Sequence, residues 1–153
     1  MPTIKRIVVP TDFSPHGRHA VASALEYARL FKAELHVLHV VVPQVYQSEM
    51  PEMMMPPVED FTEDRLEAAR KRLREWQKTM PGDVDIQTHV IESTKNADDA
   101  ICEFADSMDA DLIVIGSHGH TGLMHMLLGS TAEQVVRHAK CPVLVVKPRV
   151  PIT

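Results

Sequence analysis

The chain has 153 residues, 44% hydrophobic and 24% charged, with a formal net charge of -5. That length suits one domain with a real core, and the near-average composition suggests neither disorder nor a fibre. The acidic balance argues against nucleic acid as a partner, because phosphate binding needs a concentrated basic surface.

Ile4 to Pro10 is a β-branched run that follows the first residues directly, with no signal-peptide core before it. No stretch approaches the roughly 20 apolar residues that cross a bilayer, so a cytoplasmic protein without a membrane span is expected. Ser14-Pro15 then offers a helix cap followed by proline at the first helical position. Val21, Leu25, Ala28 and Phe31 continue with helical period. Leu35 to Val42 is nearly continuous in apolar residues, as a strand buried on both faces would be.

Pro43 to Pro57 is rich in proline and methionine and long for a connection, which predicts a mobile excursion. The alternative is a soft-metal site built on Met50, Met53, Met54 and Met55. Val58 to Met80 returns to helical spacing through Leu66, Ala69, Leu73 and Trp76, and Pro81-Gly82 stops it. Its basic run, Arg65 to Lys78, is interleaved with Glu67 and Glu75 and reads as a solvated face. Val84 to Ile91 alternates as a strand. Ala97 to Met108 forms a third helix with Asn96 as candidate cap, and Leu112 to Ile115 a compact strand. Ala132 to Ala139 gives a last helix and Val143 to Val146 a last strand.

The order βαβαβαβαβ predicts an α/β fold, one doubly wound domain over residues 1–153. Its sheet is mainly parallel, with helices on both faces. The two cysteines, Cys102 and Cys141, lack CxxC spacing and read as buried thiols.

Ligands of such sheets bind beyond the carboxyl ends of the strands. Two segments fall there. Pro10-Thr11-Asp12-Phe13-Ser14 closes the first strand. Asp12 either accepts hydrogen bonds from a ribose or an adenine amine, or shapes the turn into the first helix. Gly116-Ser117-His118-Gly119-His120-Thr121-Gly122 follows the fourth strand, and Gly129-Ser130-Thr131 opens the last helix. Glycines permit positive φ and close approach, and a helix N-terminus attracts phosphate. Against this, Ser130 with Glu133 is a capping box that explains the serine without a ligand. Neither GxGxxG nor GxxxxGK[ST] occurs.

The spacing G-x2-G-x9-G-[ST], at Gly116, Gly119, Gly129 and Ser130, resembles the nucleotide-binding motif of the universal stress protein family. The resemblance extends through Ile7 to Ser14, Leu35 to Val40, Asp111 to Gly122 and Leu127 to Val146. It implies a five-stranded sheet of order 3-2-1-4-5, a homodimer through Val143 to Lys147, and binding of ATP, with any Mg²⁺ held by its phosphates. Asp12 and Val40 would contact the adenosine end, with Pro10 and Thr11 beside them. Ile115, Gly116 and Gly119 would line the nucleotide, His118 and His120 would lie close by, and Gly129, Ser130 and Thr131 would hold the phosphates. Two departures stand out. His120 replaces a common Arg or Lys, and Glu92 to Ala97 lacks the usual Gly-x-Pro.

Nine histidines are many for this length. His36 and His39 lie three apart on a strand and so point to opposite faces, unable to chelate together. His118 or His120 could assist hydrolysis, but no nucleophile elbow or paired carboxylates accompany them, so neither a catalytic residue nor a metal site is assigned. Three readings follow: an ATP-dependent switch or sensor in stress with an unidentified protein partner, a slow ATPase, or an interaction protein that binds no nucleotide.

Overall fold

The alternation of periods becomes a five-stranded sheet of order β3-β2-β1-β4-β5 in the computed structural model, which describes residues 3–43, 62–119 and 128–148. The elements are β1 (Arg6–Pro10), α1 (Pro15–Phe31), β2 (Glu34–Val41), α2 (Thr62–Gln77), β3 (Ile86–Glu92), α3 (Ala97–Ser107), β4 (Leu112–Gly116), α4 (Ser130–His138) and β5 (Val143–Val146). Every pairing is parallel, with Ile7 opposite both Leu35 and Leu112.

Side-chain alternation along the central strands divides the core between two faces. Ile7 and Val9 of β1, with Leu112 and Val114 of β4, pack against Ala20, Val21 and Ala24 of α1 and Leu73 of α2. Val8, Ile113 and Ile115 face the other way, onto Ile101 and Ala105 of α3 and Ala132 and Val135 of α4. The sheet is therefore doubly wound, and the buried β1 and β4 are continuous apolar runs as parallel strands require.

The boundaries shift for local reasons. β1 begins at Arg6 rather than Ile4, because the N–H groups of Lys5 and Arg6 donate to the Asp111 carboxylate at 2.8 and 3.0 Å. α2 ends at Gln77 rather than Met80, where Thr79 and Met80 donate three residues back and tighten the last turn. The segment 44–57, with its methionines, and the residues 58–61 lie outside the described residues.

The two predicted serine caps diverge. Ser14 is the N-cap of α1, its Oγ accepting from Gly17 N–H at 3.1 Å, with Pro15 following. At α4 the N-cap is Gly129, in extended conformation and with no side-chain cap bond, so Ser130 is already helical. The capping box is thus one residue out of register. Ser14→Ala is expected to cost about 1–2 kcal/mol, since it strips a buried donor of its acceptor. Ser130→Ala should stay within about 0.5 kcal/mol, and urea unfolding of both variants separates the two cases.

Candidate functional site

Running outward, β1 leads to β2 and β3; the chain then returns to β4 and β5 on the other side. The crevice beyond the carboxyl ends of β1 and β4 is therefore the point where strand order reverses, the preferred ligand position of such sheets. A cavity of about 380 Å³ opens there.

The turn after β1 is built by its own polar atoms. Thr11 N–H continues the ladder to Leu38 O at 2.8 Å, and Thr11 Oγ1 accepts from Phe13 N–H at 3.2 Å. Asp12 Oδ1 accepts from Ser14 N–H at 2.9 Å, an Asx turn. Phe13 takes left-handed φ of 63°, which sends its ring into the core beneath α1 while Asp12 lines the cavity. Such a conformation costs a non-glycine residue about 1–2 kcal/mol, set here against burial of an aromatic ring. His39 Nδ1–H donates to Thr11 O at 2.8 Å and fixes the turn from the β2 side.

On the opposite wall, Ser117 N–H donates to Val146 O at 2.9 Å and Gly129 N–H donates to Ser117 O at 2.7 Å. The second bond draws the start of α4 against the end of β4. No described glycine has positive φ, which corrects one half of the expectation; close approach accounts for these glycines instead. A Cβ on Gly129 would lie 3.3 Å from Ser117 O and 3.4 Å from His118 Cα. A Cβ on Gly119 would overlap Asp12 Oδ2, and one on Gly17 would stand 2.9 Å from Asp12 Oδ1. The Asp12 carboxylate is boxed between two glycines.

Pro10, Thr11, Asp12 and Val40 line the cavity from the β1 and β2 ends. Ile115, Gly116, His118 and Gly119 line it from the β4 end, and Gly129, Ser130 and Thr131 from the α4 end. His120 lies outside the described residues. Several lining residues escaped the sequence reading: Gly17, Leu38, His39, Ala97, Ile101 and Ala132. The available signal was a glycine in the first turn of α1; Leu38, Ala97, Ile101 and Ala132 look in sequence like ordinary core.

Chemically the cavity has two ends. Leu38, Val40, Ala97, Ile101 and Ile115 give an apolar wall. In place of Gly-x-Pro, Ser93 shapes the approach to Ala97, accepting from Lys95 N–H at 3.1 Å and donating to Asn96 O at 3.3 Å. The other end carries the N-terminus of α4 and its glycine. Asp12 is the only acid among the described lining residues, and no Lys or Arg is among them, so an anion would rest on backbone N–H groups and the helix dipole. Among the described residues no group of three or more His, Cys, Asp or Glu could hold a metal ion.

The profile of the Universal stress protein family matches residues 3–147. The chain belongs to the universal stress protein family. A universal stress protein of Methanocaldococcus jannaschii, MJ0531, is 36% identical over 94% of this chain and 82% of its own length. The solved structure of MJ0577, the subject of a structure-based assignment of biochemical function, superposes with TM-score 0.80 at 27% identity, covering 98% of this chain and 100% of that one. An Archaeoglobus fulgidus universal stress protein in complex with dAMP gives TM-score 0.58 at 27% identity, covering 96% and 100%. A universal stress protein in complex with cAMP gives 0.61 at 27%, covering 95% and 98%.

Two histidines of this universal stress protein carry a pH signature. Burial lowers the pKa of His39; its bond to Thr11 O and the charge of Asp12 oppose this, while Arg72 and Arg65 add to it. Burial also lowers that of His89, helped by His36, whose Nδ1 lies 3.0 Å from His89 Nε2. His36 Nε2 lies 3.1 Å from the Glu34 carboxylate while His39 turns to the Thr11 carbonyl, so His36 and His39 do face opposite ways. Unfolded, both groups take up a proton near pH 6.5; folded, they do so only at lower pH. Stability is therefore complete above about pH 6.5 and is lost as pH falls through the lowered folded-state values. Urea midpoints should drop on acidification through this window, and His89→Gln should flatten the drop.

Proposed function

We propose that the cavity binds an adenine nucleotide, ATP in its working form, and that occupancy acts as a switch in a stress-response dimer. The observation that carries this is the meeting, in one cavity, of an apolar wall, the Asp12 carboxylate and a glycine-bounded helix N-terminus. A flat aromatic base fits the wall formed by Val40, Ile101 and Ile115. Asp12 is an acceptor suited to ribose hydroxyls. The start of α4, with Gly129, Ser130 and Thr131, offers N–H groups to phosphate. The volume lies within the range of small-ligand sites, about 300–1,000 Å³. Any Mg²⁺ would be held through the phosphates rather than by a protein cage. The relatives in complex with dAMP and cAMP support adenine as the base.

The dimer finds support at the sheet edge. Among the described residues β5 pairs only with β4, and all four of its residues are partly exposed. An open edge of Val143 to Lys147 is suited to a second copy.

Thermal unfolding of nucleotide-free protein against ATP, AMP and GTP tests the site. A ligand that binds the native state alone adds about 2.7 kcal/mol at a hundred times its Kd, a rise of several degrees. A saturable rise with ATP and AMP that fails with GTP is the expected result. No shift at millimolar ATP would overturn the nucleotide site and leave an interaction protein.

A further inference from the structure

Most described arginines of this chain are matched to carboxylates. Arg6 pairs with Glu34, Arg29 with Asp83, Arg70 and Arg74 with Glu67, and Arg137 with Glu133. Arg18, Arg65 and Arg72 form no ion pair among the described residues, and Arg18 and Arg72 stand over one pair of rings. Arg72 Cζ stands 4.2 Å from the Phe13 ring centre and Arg18 Cζ 5.7 Å from that of Trp76. The two rings are 6.2 Å apart. Arg65 donates from Nη1 to Val42 O at 3.0 Å, and its charge, like that of Arg72, acts on His39, whose ring lies 4.6 Å from that of Phe13. Arg18 and Arg72 are exposed.

We propose that this surface of α1 and α2, with Arg18 and Arg72 over Trp76 and Phe13 and Arg65 close to His39, docks an acidic Asp/Glu-rich segment of a protein partner. A guanidinium held over a ring is positioned without a carboxylate, and keeps donors for one that arrives from outside. Paired N–H donors in a plane match a carboxylate bidentately. Arg and Trp are also the residue types that carry most binding energy at protein interfaces. The partner's chemistry follows from charge: the patch is cationic, but the chain as a whole is at -5. A short acidic segment needs only local complementarity, whereas a long polyanion would meet the repulsion of the remaining surface. Glu67 and Glu75 on the same helix already restrict the width of the cationic strip.

Phe13 directly follows Asp12, so the partner would sit beside the cavity without entering it. The proposal goes beyond nucleotide binding and needs no occupant in the cavity. Either can therefore fail alone.

The test is fluorescence anisotropy of a labelled oligo-glutamate peptide titrated with the full chain in low salt, without nucleotide. Saturable binding that weakens with salt is expected. Arg18→Gln with Arg72→Gln should weaken it about tenfold or more. Arg70→Gln with Arg74→Gln removes the same charge from residues already paired, and should change it less than about twofold. All four positions are on the surface, and unchanged thermal midpoints verify folding. Equal losses in the two double variants would overturn the proposal as mere charge attraction. So would no peptide binding by the unaltered chain, or tighter binding of labelled oligo(U) RNA that the Arg18/Arg72 variant abolishes.

Discussion

Gly119→Val is expected to remove adenine-nucleotide binding while the sheet stays folded. A Cβ at Gly119 would overlap Asp12 Oδ2. The carboxylate is tethered on its other side, because Oδ1 accepts from Ser14 N–H at 2.9 Å. Valine therefore either occupies the cavity or expels the carboxylate from it. A loss of about a hundredfold or more in AMP affinity is expected, about 2.7 kcal/mol. Gly119 lies outside every helix and strand, so the ligand-free thermal midpoint should move by only a few degrees. Gly82→Val is the control, since a Cβ there meets nothing within 4 Å. Calorimetric titration that finds AMP affinity within a few-fold of the unaltered chain would remove Gly119 and Asp12 from the site.

Much of this was legible in the sequence because parallel α/β folds write their layers as changes of hydrophobic period. The run LIVI at 112–115 must be buried on both faces, and Ile113 and Val114 do face opposite helix layers. Strand order was not written there; it came from the family resemblance, since any right-handed arrangement satisfies the same periods. At the site, the glycines and Asp12 were visible as types out of place at strand ends. Ala97, Ile101 and Ala132 were not, because a wall for an apolar ligand has the same period as a wall for the core. Ser130-x-x-Glu133 fits a capping box as a pattern, yet a pattern cannot say that the extended residue is Gly129. Nor does the sequence say that Phe13, with no glycine's freedom, takes left-handed φ. That conformation depends on the core waiting beneath it.

Asp12→Asn separates the two roles that the sequence left open for this residue. The Asx turn uses one oxygen, and asparagine supplies an equivalent acceptor to Ser14 N–H. The turn, and with it the fold of the ligand-free chain, should therefore persist. What asparagine cannot supply is a second, charged acceptor on the Gly119 side, because its other terminal atom is a donor. Loss of a charge-assisted bond to a ribose hydroxyl is worth about 1.5–3 kcal/mol, ten- to a hundredfold in AMP affinity. Asp12→Ala should lose the same affinity and, in addition, about 1 kcal/mol of stability with the turn. Titrations of both variants with AMP, set beside their urea midpoints, decide between the roles. If the asparagine variant binds AMP as the unaltered chain does, the carboxylate is not the ribose acceptor and the ribose must be held by other atoms of the cavity.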